Sequence, residues 1–585
     1  MTKRISRFKK QNSVFYSLVT LALAVGTSCV ANDKAVGDST TGAFKYREVY
    51  LPEGKGEKAR EQGLNTLDFD WGIWGHNLER AIPEEHAMNI YAKVNGNTNK
   101  KQYCFSSNHL YGYIEEYIDS HYDADEYARF AILPKDNDIV CVCERCVAAG
   151  NTRHDASPAV NKLIRRLSER FPGQRFYTSD YRTTSSIPTD TMPGNSGVLI
   201  SAMNYPLKTT ETFEEQKFLS RIQKWNPVID RVIVWDYINN FDDYFTPYPI
   251  FGVMQRRLQA YRDNEVTGVF LNGSGTDLSA MSDIKTAVLA ELTRDPDIDW
   301  REVLQEKATA LYPVTGQLIA DFMLLQEDMV AKSGVTLPMY DGVEKALKTY
   351  LPEKEFVAFH DTLLTLRPTV KGPERESLDS LLSMLALPRL EIKRINGDPE
   401  NSEGLLNDLK YLASKEVIGY NEAGWSIEDY IEDYNYLLRN YRETEGKNKL
   451  KGEKLVALTP LDADYSNISI LTDGMLGIPT NYHSGLLINS PQDYTQIAIP
   501  NKGGIKKVKV WLAYDPPYRV FLPESVTLTA NGKKIGSVEP KYPGNESGHV
   551  PVEFDIPSNT TGTFTLTLHK EPEKHSMAIE EIEAF

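Results

Sequence analysis

Three aspartates stand directly after short apolar runs, where a carboxyl group could act as an acid or a base. Asp136 and Asp138 follow the run 130–133, and Asp236 follows the run 232–235. Hydrolysis of a glycosidic bond needs a proton donor for the leaving oxygen and a second group for the developing cation. In the acetamido-assisted variant, the second carboxylate orients the substrate's own N-acetyl group. We predict Asp136 as the acid/base or the acetamido-polarising group, with Asp236 as its partner.

Other polar and aromatic residues follow the same apolar runs or neighbouring ones. Aromatic rings stack on the apolar face of a sugar, while amides and acids bind its hydroxyl groups. Each residue alone could equally be a loop cap or a turn former. The predicted substrate-binding residues are Arg47, Trp74, His76, Asn77, Asn137, Asp180, Tyr181, Asn204, Trp235, Tyr237 and Asn272.

Four cysteines form a second candidate cluster. Cys104 ends one apolar run, and Cys141, Cys143 and Cys146 follow the next run, so all four could meet in space. In an oxidising compartment two disulfides are the first expectation, while Cys-x-Cys-x2-Cys plus one more thiolate also suits tetrahedral zinc. We predict a structural role and favour disulfides over zinc. No Cys-His arrangement points to a catalytic cysteine.

Eight short apolar runs, separated by helical patterns, would place these residues on one rim. An example of the helical patterns is the apolar face of Val160, Leu163, Ile164 and Leu167. Strand and helix alternating eight times predict a (β/α)8 TIM barrel over residues 44–298, in which catalytic groups lie at the carboxyl ends of the strands. The predicted strands are Tyr46–Tyr50, Gly72–Asn77, Gln102–Phe105, Phe130–Leu133, Arg175–Thr178, Val198–Ser201, Val232–Trp235 and Gly268–Leu271.

Two further regions follow the barrel. Residues 299–454 have a helical pattern that begins with Asp299 as a helix cap, and we expect these helices to pack on the barrel. From residue 455 to 585 the apolar residues alternate, as in Val526, Leu528 and Ala530, and Asn531-Gly532 is a hairpin signal. This C-terminal region is predicted to be a β-sandwich.

The first residues of the chain indicate export. A basic stretch, residues 3–10, precedes a largely apolar run, residues 14–25, which is too short to span a bilayer. The run leads to Ser28-Cys29, which resembles a lipoprotein signal, although a plain signal peptide with an incidental cysteine remains the alternative. We predict a signal peptide over residues 1–28, lipid on Cys29, a tether over residues 29–43, and a location in the outer membrane or at the cell surface.

Composition limits the partners of the exported body. The 585-residue chain has a formal net charge of -16, which argues against nucleic acid because phosphate binding needs basic patches. The 32 tyrosines and 7 tryptophans suit sugar stacking, although cores use aromatic residues too. The expected partners are a glycan substrate and a membrane reached only through the lipid anchor.

Several phrases, in their order along the chain, resemble a known family. They are WGIWGHNL, CFSS, ILPKDND with CVCERC, TSDYRTT, VWDYINNFDDYFTPYP and GVFLNGSG. They resemble the domain of unknown function 4838 over about residues 44–313. That family is abundant in Bacteroidetes and related to glycoside hydrolase family 163, endo-β-N-acetylglucosaminidases acting on complex N-glycans. The resemblance implies a glycosidase barrel with a carboxylate pair after the fourth strand. The chain departs from the usual Asp-Glu pair, because Asn137 follows Asp136, and Asn272 stands where a carboxylate would be useful.

The C-terminal region carries a second resemblance. Leu471–Gly474 and the ending Ala578–Glu583 resemble galactose-binding-like (discoidin) modules, in which Asp473 and Glu581 would match a structural calcium position. The module could bind glycan or be purely structural. No other cofactor is expected.

These observations give a leading hypothesis and two alternatives. The leading hypothesis is a glycoside hydrolase-like surface lipoprotein acting on glycans that contain N-acetylglucosamine, for which acetamido-assisted retaining hydrolysis is one expected mechanism. The first alternative is a non-catalytic glycan-binding lipoprotein with a degenerate barrel. An envelope structural protein is the second alternative, and the clustering of polar residues at strand ends argues against it.

Overall fold

The computed structural model describes residues 42–123, 127–415, 417, 419–489, 493–541, 544, 546–570 and 576–585. The predicted signal peptide, Cys29 and the tether up to residue 41 lie outside the described residues. Within the described ranges, no helix combines the length and the apolar character needed to cross a membrane.

The chain divides into two compact units. The first contains the described residues up to Asn239, together with Pro249–Thr276 and Met281–Met339, and the second contains Asn240–Tyr248, Asp277–Ala280 and Tyr340–Phe585. This division differs from the predicted boundary at residue 298, because helices from the start of the predicted helical region belong to the first unit.

Nine strands form among the described residues of the first unit. They are β1 (Tyr46–Tyr50), β2 (Trp71–Ile73), β3 (Tyr91–Val94), β4 (Asn97–Tyr103), β5 (Arg129–Ala131), β6 (Arg175–Asp180), β7 (Ser196–Ser201), β8 (Arg231–Tyr237) and β9 (Gly268–Asn272). Seven of them make one parallel sheet in the order β1-β9-β8-β7-β6-β5-β2. Seven of the eight predicted strands therefore lie in a single parallel sheet.

The predicted third strand is wrong. Residues 102 and 103 end β4, which pairs antiparallel with β3 in a separate two-stranded hairpin. Five of the seven residues of β4 are exposed or half-buried, and only Gln102 and Tyr103 at its end are buried. A strand with so little buried surface suits an outer hairpin better than a barrel wall, whose residues are covered on both faces.

The two edge strands of the parallel sheet, β1 and β2, are joined by side chains. The Trp71 indole Nε1 donates a hydrogen bond of 2.8 Å to the Tyr46 hydroxyl. The backbone N–H of Leu67, just before β2, donates to Glu48 of β1 at 3.1 Å. The sheet is therefore curled, and side chains link its two edge strands. No eighth strand joins them among the described residues.

Helices follow the strands of the first unit. They are α1 (Gly56–Glu61), α2 (Leu67–Asp70), α3 (Asn108–His121), α4 (Glu144–Ala149), α5 (Ser157–Arg170), α6 (Phe213–Trp225), α7 (Phe251–Asp263), α8 (Ser282–Arg294), α9 (Trp300–Leu311) and α10 (Gly316–Ser333). The predicted apolar face of α5, which includes Val160 and Leu167, is buried, as its 3.6-residue period requires.

The second unit begins with helices and ends in strands. Its helices are α11 (Val343–Thr349), α12 (Glu353–Leu366), α13 (Pro373–Ile395), α14 (Glu403–Ser414) and α15 (Ile427–Thr444). Its strands are β10 (Val456–Ala457), β11 (Leu487–Ile488), β12 (Tyr494–Ile499), β13 (Lys507–Tyr514), β14 (Ser525–Ala530), β15 (Lys533–Val538), β16 (Gly548–Asp555), β17 (Phe564–His569) and β18 (Ala578–Ala584).

The strands of the second unit form two antiparallel sheets, in the orders β10-β12-β17-β14-β15 and β11-β18-β13-β16. One apolar core contains residues of both sheets, such as Ile497 of β12 and Val510 of β13, which makes them a β-sandwich. Asn531 and Gly532 connect β14 to β15 with φ of 48° and 77°. Positive φ at both positions is typical of a type I′ hairpin turn, as the Asn-Gly pair predicted.

Candidate functional site

Strand alternation decides which residues reach the interior of the curled sheet. On β8, Ile233 and Trp235 pack in the interior aromatic and apolar cluster, so Asp236, the residue after Trp235, faces the surrounding helices. Asp236 is fully buried and accepts hydrogen bonds from the Arg257 guanidinium and, at 2.6 Å, from the Tyr261 hydroxyl, both on α7. The predicted role of Asp236 as the partner of Asp136 is therefore corrected to a structural ion pair.

Asp180, at the end of β6, has the same placement. Its carboxylate accepts hydrogen bonds from Arg221 Nε at 2.5 Å and from Trp225 Nε1 at 2.6 Å, both on α6. Arg47 on β1 also faces the helices, and its Nη2 donates to the Gly63 carbonyl at 2.6 Å. Neither side chain is directed into the sheet interior, so their predicted contacts with a substrate are corrected to contacts with helices and loops.

Aromatic side chains line the interior near the carboxyl ends of the strands. Trp74 stacks on Trp235 with ring centroids 4.9 Å apart and planes at 19°. Tyr237 lies two residues beyond Trp235, and its hydroxyl is 3.3 Å from Ser201 Oγ. The Trp235 indole N–H is buried and has no hydrogen-bond partner among the described residues. A buried donor without a partner is costly, and a ligand hydroxyl would satisfy it.

The loop after β5 carries the predicted catalytic residue. Asp136 is about one-third exposed and accepts a hydrogen bond of 2.7 Å from Arg182 Nη1. Arg182 Nε also donates to Asp138 at 3.0 Å, so one guanidinium holds both carboxylates. Burial and the negative charge of Asp136 raise the pKa of the neighbouring Tyr181 phenol. The structure thus brings Asp136 and Tyr181 together.

His76 belongs to the same group. Its Nδ1 lies 2.5 Å from the Pro134 carbonyl, and its ring centroid is 6.0 Å from that of Tyr181. Because a carbonyl oxygen only accepts, Nδ1 must donate this bond, which leaves Nε2 of the neutral ring as an acceptor. The backbone of the strand-five loop therefore fixes the tautomer that His76 presents.

The four predicted amide residues have different surroundings. Asn137 Oδ1 accepts from Gln102 Nε2 at 3.1 Å and from the Ile139 N–H at 3.0 Å, which makes Asn137 a loop former. Asn272 ends β9 on the interior face and is half-buried. Asn77 is half-buried before a 3-10 turn, and Asn204 is exposed.

Two groups of polar residues were not predicted. Glu48 lies on the interior face of β1 and is bonded by the Tyr46 hydroxyl, and burial raises its pKa well above the usual range. In the second unit, His483 Nε2 lies 2.8 Å from Asp242 Oδ2, and the Tyr482 hydroxyl donates to Asp242 at 3.3 Å. Alternation along β1 could have identified Glu48, whereas no sequence signal joins Asp242 to a histidine 241 positions away.

The four cysteines converge as predicted. The Sγ atoms of Cys104, Cys141, Cys143 and Cys146 lie within 4.8 Å of one another. No S–S bond joins any of these four cysteines in this structure, in contrast to the expected disulfides.

In the second unit, the predicted calcium residues are neighbours. Glu581 is fully buried, its Oε1 accepts from the Gly474 N–H at 3.3 Å, and its Oε2 has no partner among the described residues. Burial and then the negative charge of Asp473 raise the pKa of Glu581 well above its usual range, and burial raises the pKa of Asp473 to about 7. A divalent cation would offset both effects, so these residues fit the predicted ion.

Comparison with known proteins gives one family match. The family described as Domain of unknown function (DUF4838) matches residues 27–323. No curated protein matches the chain.

Among solved structures, the chain is similar to a family GH115 4-O-methyl-α-glucuronidase with specificity for decorated arabinogalactans. That likeness has 13% identity, covers 90% of this chain and 72% of the other, and has a TM-score of 0.36. A GH138 enzyme targeting pectin rhamnogalacturonan II is similar at 10% identity, over 81% of this chain and 76% of the other, with a TM-score of 0.28. The module CBM32-1, from a family 31 glycoside hydrolase of Clostridium perfringens, is similar at 12% identity, over 24% of this chain and 98% of the other, with a TM-score of 0.16.

Proposed function

The chain belongs to the DUF4838 family, and from that premise we propose that it is a glycoside hydrolase-like protein acting on glycans that contain N-acetylglucosamine. The observation that carries the proposal is the group at the carboxyl ends of β2, β5, β6 and β8: Trp74, His76, Asp136, Tyr181 and Trp235. Parallel sheets of this kind place their ligand sites at these ends.

The stacked indoles supply the surface for a sugar ring. An aromatic face binds the C–H face of a sugar, and the unpartnered Trp235 N–H is a donor for a hydroxyl or acetamide oxygen. His76 Nε2 adds an acceptor whose orientation is fixed by the Pro134 carbonyl. Together these groups can bind both the apolar and the polar parts of one sugar residue.

Asp136 has two chemical roles open to it, acid/base and acetamido-polarising group. Its ion pair with Arg182 and its neighbour Tyr181 support the second role, because they hold the carboxylate in place as a hydrogen-bond acceptor. An oriented carboxylate that accepts from a substrate N–H would align the acetamide oxygen with the anomeric carbon. As that oxygen bonds to the anomeric carbon, the glycosidic C–O bond breaks and the leaving oxygen takes a proton from water, and water then opens the intermediate with retention.

A non-catalytic glycan-binding protein is the second candidate function. It is favoured by the ion pair of Asp236 with Arg257, which leaves Asp136 without its predicted carboxylate partner. Hydrolysis without a proton donor would be slow, whereas binding through the indoles would remain.

Replacing Asp136 tests the proposal. With complex N-glycans and aryl β-N-acetylglucosaminides as substrates, Asp136→Asn should lower kcat by on the order of 100- to 10,000-fold while glycan binding persists. Asp138→Asn is the matched control, since Asp138 is bound by the same arginine and is 77% exposed, and it should retain most of the turnover. Near-wild-type turnover of a folded Asp136→Asn protein would contradict the role of Asp136. Wild-type binding without turnover across the panel would favour the second candidate.

The proposal includes location and a structural ion. We place the protein at the outer membrane or cell surface, held by lipid on Cys29. Membrane retention of the Cys29→Ala variant in fractionation would contradict that anchor.

Asp473 and Glu581 would hold a structural calcium ion in the C-terminal sandwich, whose two antiparallel sheets are consistent with a galactose-binding-like module. The proposed hydrolysis requires no other cofactor.

A further inference from the structure

Four cysteine side chains of the first unit lie close together, although they come from two separate segments, the end of β4 and the segment from the loop after β5 to α4. Cys104 directly follows β4, and Cys141, Cys143 and Cys146 lie in the segment from the loop after β5 to α4. We propose that these four cysteines, as thiolates, bind one structural Zn²⁺ ion.

Two of the sulfur–sulfur distances match those around a tetrahedral ion, and all of them are within 4.8 Å. Cys104 Sγ lies 3.7 Å from Cys143 Sγ and 3.7 Å from Cys146 Sγ. Four sulfurs at about 2.3 Å from zinc would stand about 3.8 Å apart along each edge of the tetrahedron. Disulfides join sulfurs only in pairs, at about 2.05 Å, and do not require one sulfur to be equidistant from two others. Four sulfur ligands leave no open position, so the ion would be structural and would not activate water.

Neighbouring polar groups support bound thiolates. Four thiolates and Zn²⁺ carry a net negative charge, which hydrogen-bond donors must offset in a buried place. The Lys93 N–H donates to Cys141 Sγ at 3.2 Å. The Cys146 thiol donates to Ser106 Oγ at 3.3 Å, and a Cys146 thiolate would instead accept from that hydroxyl. Cys104, Cys141 and Cys146 are buried, which would protect the ion from solvent.

The ion would fix the loop that carries Asp136. Residues 134–143 already bond the β3–β4 hairpin, because the Val142 N–H donates to the Lys93 carbonyl at 2.9 Å and Gln102 Nε2 donates to the Lys135 carbonyl at 3.0 Å. Zinc would add a further link from this loop to Cys104, which directly follows β4. The inference rests on the thiols alone, so it stands or falls independently of glycan hydrolysis.

Metal analysis of the full chain tests the proposal directly. Protein purified without metal-affinity resin should contain about one zinc ion per chain, as measured by elemental mass spectrometry. After denaturation with a chelator and alkylation without reductant, the peptides of all four cysteines should be labelled. Unlabelled peptides that become labelled only after reduction would show disulfides and overturn the proposal. Iron with visible absorption, or no metal with thiols that react in the native protein, would also overturn it.

A pair of variants separates ligand from neighbour. Cys146→Ser should lose zinc, melt at a lower temperature and be cleaved faster by protease within residues 134–150, because one of four ligands is gone. Ser106→Ala changes a group beside Cys146 that is not a ligand, and it should keep its zinc. If Cys146→Ser does not fold, mercurial titration of the wild-type thiols decides, since it should release the zinc in proportion to the thiols modified. Full zinc retention by a folded Cys146→Ser protein would contradict the assignment.

Discussion

Asp236 on β8 and Glu581 on β18 are fully buried strand carboxylates, one in each unit, with opposite surroundings. Asp236 is bonded by the Arg257 guanidinium and the Tyr261 hydroxyl. Glu581 receives only neutral donors, the Gly474 N–H at 3.3 Å and Asn448 Nδ2 at 3.4 Å, and one of its oxygens has no partner among the described residues.

The contrast shows two ways to keep a carboxylate inside a protein. Removing the charge from water costs several kcal/mol, and an internal cation offsets that cost if the hydrogen bonds are complete. Asp236 has such a cation, Arg257, in its own unit. The stability that this pair gives the first unit should therefore depend little on pH or dissolved cations. Glu581 lacks an arginine partner, and a proton or a dissolved cation must therefore supply the compensation.

Removing the internal cation should have the largest effect. Arg257→Met leaves Asp236 buried and unpaired, and we expect the first unit to lose about 3–5 kcal/mol of unfolding free energy. Denaturant unfolding followed by circular dichroism would measure it. The double variant Asp236→Leu with Arg257→Met removes both charges and should recover much of the loss. A single variant as stable as wild type would show that the ion pair does not compensate Asp236.

Supplying an external cation should have an intermediate effect on the second unit. Calcium at 100 times its dissociation constant should stabilise the sandwich by about 2.7 kcal/mol, because the folded state binds it and the unfolded chain does not. Calorimetry with calcium and with EDTA measures the difference. Glu581→Gln should abolish it, whereas the exposed control Glu553→Gln on β16 should not. A calcium effect that persists in Glu581→Gln would place the ion elsewhere.

Local patterns in the sequence predicted much of this architecture. Apolar runs identified seven strands of the parallel sheet, and the Asn531-Gly532 pair identified a hairpin. The mostly polar strand β4 leads into the short apolar run 103–105, and that run has the pattern expected of a barrel strand. Nothing local distinguished it from a wall strand, because only tertiary packing covers both faces of such a strand.

The candidate site was less accessible to sequence reasoning. Asp136 and Tyr181 were placed together because strand ends meet at one edge of a parallel sheet. The predicted partner role of Asp236 fails because the residue after Trp235 must face the opposite side of the strand. Its partner Arg257 lies 21 positions away on a helix, and such pairings become visible only when the helix is docked on the sheet.

Asp515 tests the same contrast through the smallest expected effect. A proton can offset the cost of burying this carboxyl group. Burial raises the pKa of this carboxyl to about 7, and Ser547 Oγ donates to it at 2.6 Å. A raised pKa in the folded state means that the stabilising proton is fully present below the unfolded value near 4 and is lost as the pH rises through about 7. The sandwich should therefore lose about 1–2 kcal/mol between pH 5 and pH 8, since one pKa unit corresponds to about 1.4 kcal/mol and relaxation of the site reduces the cost. Asp515→Asn keeps an acceptor for Ser547 and carries no charge, so its stability relative to wild type should rise over that range. The exposed control Asp555→Asn on β16 should show no such trend. Calorimetry at both pH values measures these stabilities. If wild type and Asp515→Asn show equal pH dependence, other groups offset the charge of the Asp515 carboxylate. Buried carboxylates would then be stabilised by neighbouring groups in both units.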